Sequence, residues 1–143
     1  RVLDAGCAKG FMLYDLLKAY PKVRITGLDI SRYAIGCAPP EVQPYLMVAD
    51  VKDLSMFKDK WFDLTICINT IHNLKEKECR QAVREIQRVS KQAYIVVDAY
   101  RTEEEKEKVF DWILTAETVL SVDEWKTLFQ EEGYQGDFYW FIP

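Results

Sequence analysis

Arg1-Val2-Leu3-Asp4-Ala5-Gly6-Cys7-Ala8-Lys9-Gly10 limits what this chain can fold into more than any other stretch. Apolar Val2 and Leu3, with small Ala5, suit a short buried strand. Gly6 and Gly10 bracket a tight turn, and an apolar run opens at Phe11. The pattern is strand, turn, helix, with the first turn of the helix facing a ligand.

The spacing of that turn excludes two familiar phosphate binders. A dinucleotide fingerprint needs G-x-G-x-x-G. After Gly6, the two later glycine positions are filled by Ala8 and Phe11. A P-loop needs G-K-[ST] after its turn, and none follows. Asp4 would also repel a phosphate. A ligand that tolerates Asp4 should carry positive charge or donate hydrogen bonds.

The remaining elements follow in order. Val2–Asp4 reads as the first strand and Gly10–Tyr20 as a helix with Phe11, Leu13, Leu16 and Leu17 inward, stopped by Pro21. Val23–Asp29 is a second strand, and Ser31 can cap a short helix that Pro39-Pro40 ends. Tyr45–Ala49 is a third strand. Asp50–Lys60 reads as a loop with one helical turn near Leu54–Phe57. Phe62–Asn69 is nearly continuous in apolar residues, as a strand covered on both faces should be. Lys75–Ser90 is a helix with Cys79, Ala82, Val83, Ile86 and Val89 on one stripe. Ala93–Asp98 is a fifth strand. Capping boxes at Thr102–Glu105 and Ser121–Glu124 open two more helices, Gly133 closes the second, and Phe138–Ile142 is a sixth strand. Alternating strands and helices imply one α/β domain over residues 1–143 with a mostly parallel sheet.

Composition narrows the function. A net charge of −4 argues against a nucleic-acid surface. No apolar run is long enough to span a bilayer, and no signal peptide is recognisable. Cys7, Cys37, Cys67 and Cys79 form no C-x-x-C pair, and His72 is the single histidine, so no metal site is expected. Free thiols suit a reducing compartment, and the expected location is the cytoplasm. A chain that starts in its first strand and ends on an aromatic one is expected to lack flanking segments.

In a doubly wound sheet, ligands sit at the carboxyl ends of the strands. Here those ends carry Asp4 and Gly6, Asp29, Asp50, Asn69, and Asp98 with Tyr100. Solubility alone does not call for a polar group at nearly every strand end, so the rim is the candidate site.

At this point the residues resemble a known family. Val2–Gly10 is similar to the D-x-G-x-G-x-G first motif of class I S-adenosylmethionine-dependent methyltransferases, with Ala8 in place of the middle glycine. Gly27-Leu28-Asp29-Ile30-Ser31 resembles the second-strand motif, Val48-Ala49-Asp50-Val51 the adenine-binding segment, and Phe62–Leu74 the fourth strand and its loop. Gly133-Tyr134 resembles the late helix-to-strand turn. The resemblance spans essentially the whole chain. It implies a Rossmann-like, three-layer α-β-α fold with strand order 3-2-1-4-5-7-6, the seventh antiparallel. Six strands are legible, so the seventh is expected to be either cut off or weakly signalled, and the N-terminal lid helices are expected to be absent.

The resemblance also implies a site. Asp4, Ala5, Gly6, Cys7 and Gly10 form the cofactor turn. Asp29 holds the ribose hydroxyls, Ile30 faces the adenine, and Asp50 and Val51 meet its amino group and ring. Asn69 and Thr70 close the fourth strand. The cofactor is S-adenosylmethionine, with S-adenosylhomocysteine as product and a small molecule as acceptor. His72 is the one candidate general base, although a positional or packing role suits it better, because methyl transfer can proceed by alignment alone. Two other readings stand beside this one: a non-catalytic binding or scaffold domain, and a nicotinamide-dependent oxidoreductase, against which Asp4 and the glycine spacing argue.

Overall fold

The computed structural model describes residues 1–143. It holds seven strands, β1 (Val2–Ala5), β2 (Ile25–Asp29), β3 (Leu46–Val48), β4 (Phe62–Ile68), β5 (Ser90–Tyr100), β6 (Leu120–Ser121) and β7 (Asp137–Phe141). The helices are α1 (Phe11–Ala19), α2 (Arg32–Gly36), α3 (Glu76–Val89), α4 (Glu103–Trp112) and α5 (Val122–Glu131). The sheet runs β3-β2-β1-β4-β5, and β5 carries both β6 and β7 on its far side. Every pairing is parallel. Asp4 pairs with Gly27 on one side and Ile66 on the other, so β1 is central. From β1 the chain winds outward to β2 and β3, then returns to place β4 on the other side. That reversal between β1 and β4 leaves a crevice at their carboxyl ends.

Burial divides the helices into two layers. The larger core joins Val83 and Ile86 of α3 and Trp125 and Leu128 of α5 to Leu3, Ala5, Cys67, Ile95 and Val97 of the sheet. A smaller cluster on the opposite face joins Leu13 of α1 to Cys7, Ile25, Ala38 and Val42. Gly27 makes that second contact close. A Cβ there would stand 2.5 Å from Leu46 Cδ2 and 2.8 Å from Leu13 Cδ1. Ser31 caps α2 by accepting from the Ala34 N–H, and Ser121 and Glu124 form a complete capping box on α5.

Several local expectations change. Phe11 is exposed rather than inward, and Leu13 is the fully buried residue of α1. β5 begins at Ser90, three residues early, because Ser90 and Gln92 pair with Phe62 and Leu64 on β4. Asn69 leaves β4, since its φ of 50° is left-handed. At α4, Thr102 accepts from the Glu105 N–H, but the Glu105 carboxylate turns to the Arg101 N–H, one residue before the box requires. The extra strand β6 is only two residues long, too short for any periodicity. None of the seven strands is antiparallel, and β7 takes the edge of β5 directly, in parallel.

The segment 50–60 is a loop with no continuous helix, and it carries the single turn expected near Leu54–Phe57, where the Phe57 N–H donates to the Leu54 carbonyl at 2.9 Å. Distant side chains of α3 set the rest of its path. The Leu54 N–H donates to Glu85, and Arg88 donates to the carbonyls of Leu54 and Phe57 and to Asp59. Arg88→Ala removes these donors together and should lower the unfolding free energy by about 1.5–3 kcal/mol, the range for hydrogen bonds to a charged group. Urea titration measures this, and a midpoint unchanged from the parent would show that the segment holds its path without Arg88.

Candidate functional site

The turn after β1 is built from left-handed positions: Gly6 at φ 93°, Ala8 at φ 47° and Gly10 at φ 72°. Gly6 is also sterically required. A Cβ at Gly6 would lie 2.0 Å from Thr70 Oγ1 and 2.5 Å from Thr70 Cγ2. The loop after β4 can therefore close against the turn only when residue 6 lacks a side chain. The N–H groups of Gly6 and Cys7 both donate to the Leu28 carbonyl, at 2.8 and 2.9 Å. Ala8 occupies a conformation that glycine tolerates better, and its N–H donates to Asp29 Oδ2 at 2.8 Å.

Asp29 is the hinge of the site. Its other oxygen, Oδ1, accepts from the Ser31 N–H at 2.8 Å. One carboxylate at the end of β2 thus fixes both the turn after β1 and the entry to α2. A carboxylate has about four acceptor positions, and two remain for a ligand. Asp50, after β3, accepts from the Lys52 N–H at 3.1 Å, and Lys52 Nζ lies 3.4 Å from its Oδ2 and 2.6 Å from Glu78. Lys52 steadies Asp50 from the α3 side.

These groups open onto a cleft of about 470 Å³. Gly6 and Ala8 line it from the turn, Leu28 and Asp29 from β2 with Ile30 just past its end, and Ala49, Asp50 and Val51 from beyond β3. Ile68, Asn69, Thr70, Asn73 and Leu74 close it from the end of β4. Ile30 is 71% exposed, an apolar side chain with no protein neighbour to cover it. The volume lies within the roughly 300–1,000 Å³ of small-molecule sites.

The structure thus gathers Gly6, Asp29, Ile30, Asp50, Val51, Asn69 and Thr70 around one cleft. It places the other candidates elsewhere. Asp4 and Ala5 lie inside β1, beneath the turn, and Cys7 turns inward against Leu13. Burial, with Asp4 and Asp29 nearby, pushes the Cys7 thiol up to about 12, so it stays neutral. Gly10 starts α1 without a side-chain cap. His72 also lies off the cleft lining. It is buried in a short 3-10 turn, Ile71–Asn73, and its Nδ1 accepts from the Asp98 N–H at 3.1 Å. Desolvation lowers its affinity for a proton, against the opposing pull of Asp98, so the ring is neutral. Ala8, Leu28, Ala49, Ile68, Asn73 and Leu74 are additional lining residues. Ala8 sits in the middle of the motif and was legible there. Asn73 and Leu74 return to the rim through the 3-10 turn, which no local periodicity signals.

Residues 2–93, well over half of the chain, match a family described as a methyltransferase domain. The chain belongs to that family. Over 89 residues the chain is 29% identical to malonyl-[acyl-carrier protein] O-methyltransferase of Priestia megaterium (strain DSM 319 / IMG 1521), covering 56% of this chain and 32% of that protein. The methyltransferase in a complex with the Haloferax volcanii Trm112 methyltransferase activator is 23% identical, with a TM-score of 0.73 over 92% of this chain and 60% of that one. A SAM-dependent methyltransferase from Archaeoglobus fulgidus is 21% identical, with a TM-score of 0.71 over 93% of this chain and 60% of that one. At such identities the two structures speak to the fold alone. The chain spans a third to three fifths of the length of these relatives.

Asp4 gives the methyltransferase domain a pH signature. It is 4% exposed, and burial, reinforced by Asp29, raises its carboxyl from 3.8 to about 7. Below about pH 4 both folded and unfolded forms keep this proton. As pH rises towards 7 only the unfolded form gives it up readily, so stability is lost through that window and then levels off. Thermal unfolding should therefore show Asp4→Asn gaining on the parent from about pH 4 to about pH 7, with no further gain above. Parallel curves for the two proteins would mean that Asp4 is not held protonated by burial.

Proposed function

We propose that the cleft binds S-adenosylmethionine and that the protein of which this domain is part transfers its methyl group to a small-molecule acceptor. The observation that carries this reading is Asp29, held at the end of β2 by two backbone N–H groups and free to accept further hydrogen bonds at the cleft. An acceptor-only group in that position suits the two ribose hydroxyls. Asp50 suits the adenine amino group. The backbone N–H of Val51 and the apolar surfaces of Ile30, Val51 and Leu74 suit the ring. The uncapped first turn of α1 after Gly10 suits the methionine carboxylate. Asp4, Ala5 and Cys7 support the turn from below. Gly6, Asn69 and Thr70 form the wall between turn and β4.

When bound, the cofactor supplies a methyl group on a sulfonium, open to in-line displacement by an acceptor nucleophile. What the chain contributes is placement. The titratable groups lining the cleft are Asp29 and Asp50, and both already accept backbone N–H groups. Neither is disposed as a base, which supports catalysis by alignment. A small acceptor is supported by the relative named for malonyl-[acyl-carrier protein], whose malonyl group is small. No helix is long and apolar enough to cross a membrane, and all four cysteines are free, which goes with a cytoplasmic setting.

Calorimetric titration with S-adenosylhomocysteine tests the reading. Asp29→Ala should weaken binding by about 1.5–3 kcal/mol, the scale of hydrogen bonds to a charged group. Asp29→Asn, which keeps one acceptor oxygen, should fall between. An Asp29→Ala dissociation constant equal to the parent's would remove Asp29 from the ribose.

A further inference from the structure

We infer that His72 is a positioning residue: its imidazole ties the cleft wall after β4 to the end of β5, and its main-chain carbonyl ties the same wall to the segment between α4 and β6. The inference rests on reading the cleft as the cofactor site.

His72 stands in the middle of the wall. Asn69, Thr70, Asn73 and Leu74 on either side of it line the cleft, while its own side chain points away and is only 4% exposed. Nδ1 accepts the Asp98 N–H at 3.1 Å. A backbone N–H can only donate, so Nδ1 must be the bare nitrogen and the ring proton must sit on Nε2. The main chain of His72 makes the second tie. Its carbonyl accepts from the N–H groups of Glu117 and Thr118, at 3.0 and 2.9 Å. Two side chains reinforce it: Thr118 Oγ1 donates to the Leu74 carbonyl at 2.6 Å, and Thr115 Oγ1 donates to Asn73 Oδ1 at 2.9 Å. Asn73 in turn donates from Nδ2 to the Asn69 carbonyl at 3.1 Å. The 113–119 segment has no helix or strand of its own, so these bonds are what hold it.

A general base has to reach the reacting atoms. His72 instead spends its one acceptor nitrogen on a fixed main-chain donor, out of the cleft. Its replacement should therefore loosen the wall and act on cofactor binding, where loss of a base would act on the chemical step and its pH dependence.

The discriminating pair is His72→Asn and His72→Leu in the full-length protein. An asparagine Oδ1 can occupy the place of Nδ1 and accept the Asp98 N–H, whereas leucine fills the space and accepts nothing. The expected result is S-adenosylhomocysteine affinity within about threefold of the parent for His72→Asn and reduced about tenfold or more for His72→Leu, one tenfold step being about 1.4 kcal/mol. The kcat pH profile should keep its shape in His72→Asn. Nitrogen NMR of the histidine-labelled parent, assigned by the signals missing in His72→Asn, should show a bare Nδ1 and a protonated Nε2 at neutral pH. Equal affinity in both variants, or an Nδ1-protonated ring, would overturn the inference, as would loss of a limb of the kcat profile in His72→Asn. Should His72→Leu not fold, the NMR tautomer and the His72→Asn profile still decide. Failure of the parent itself to bind S-adenosylhomocysteine would overturn the reading of the cleft instead.

Discussion

The carboxylate of Asp29 holds two backbone segments that sequence separates by about twenty residues. Through Oδ2 it takes the N–H of Ala8 in the left-handed turn after β1, and through Oδ1 the N–H of Ser31 at the start of α2. Without that pair, Ala8, an exposed residue at φ 47°, would lose the bond that anchors the turn to β2. The rest of the site follows from this bond. The turn is fixed, Gly6 can then be met by Thr70 with no side chain between them, and the loop after β4 closes the cleft. The parallel order β3-β2-β1-β4-β5 supplies the frame, because it puts the chain reversal beside the same turn.

Much of this was legible in the sequence because it depends on local chemistry. The glycine pattern of residues 6–10, the continuous apolar run of β4 and the apolar stripe of α3 each encode their element within a few residues. The acids at strand ends announced the rim. The less legible features depend on distant partners. Ser90 and Gln92 join β5 because β4 offers them a ladder, although their own polarity argues against a strand. Segment 50–60 makes its own short turns, but the rest of its path is fixed by Glu85 and Arg88 of α3. β6 is two residues that complete an edge.

His72 illustrates the boundary between the two kinds of information. Its type and its place after a functional strand suggested proton transfer. Its direction is set by a 3-10 turn whose i→i+3 bonds return Asn73 and Leu74 to the cleft and leave His72, just before them, facing inward. Asp98 sits opposite, its Oδ1 buried without a partner and its carboxyl raised by desolvation against the pull of His72. The end of β5 therefore holds a buried polar pair beneath the wall, a different environment from the half-buried, hydrogen-bonded acids at the rim.

Membership of the methyltransferase-domain family and the geometry of Asp29 together make one central claim: the cleft selects a cationic, hydroxyl-rich nucleoside over a dinucleotide. Competitive calorimetry on the full-length protein tests it most directly, with S-adenosylmethionine and NAD titrated separately and then against each other. The account expects S-adenosylmethionine to bind at one site per chain and NAD neither to bind nor to compete. Binding of NAD with no binding of S-adenosylmethionine would contradict it.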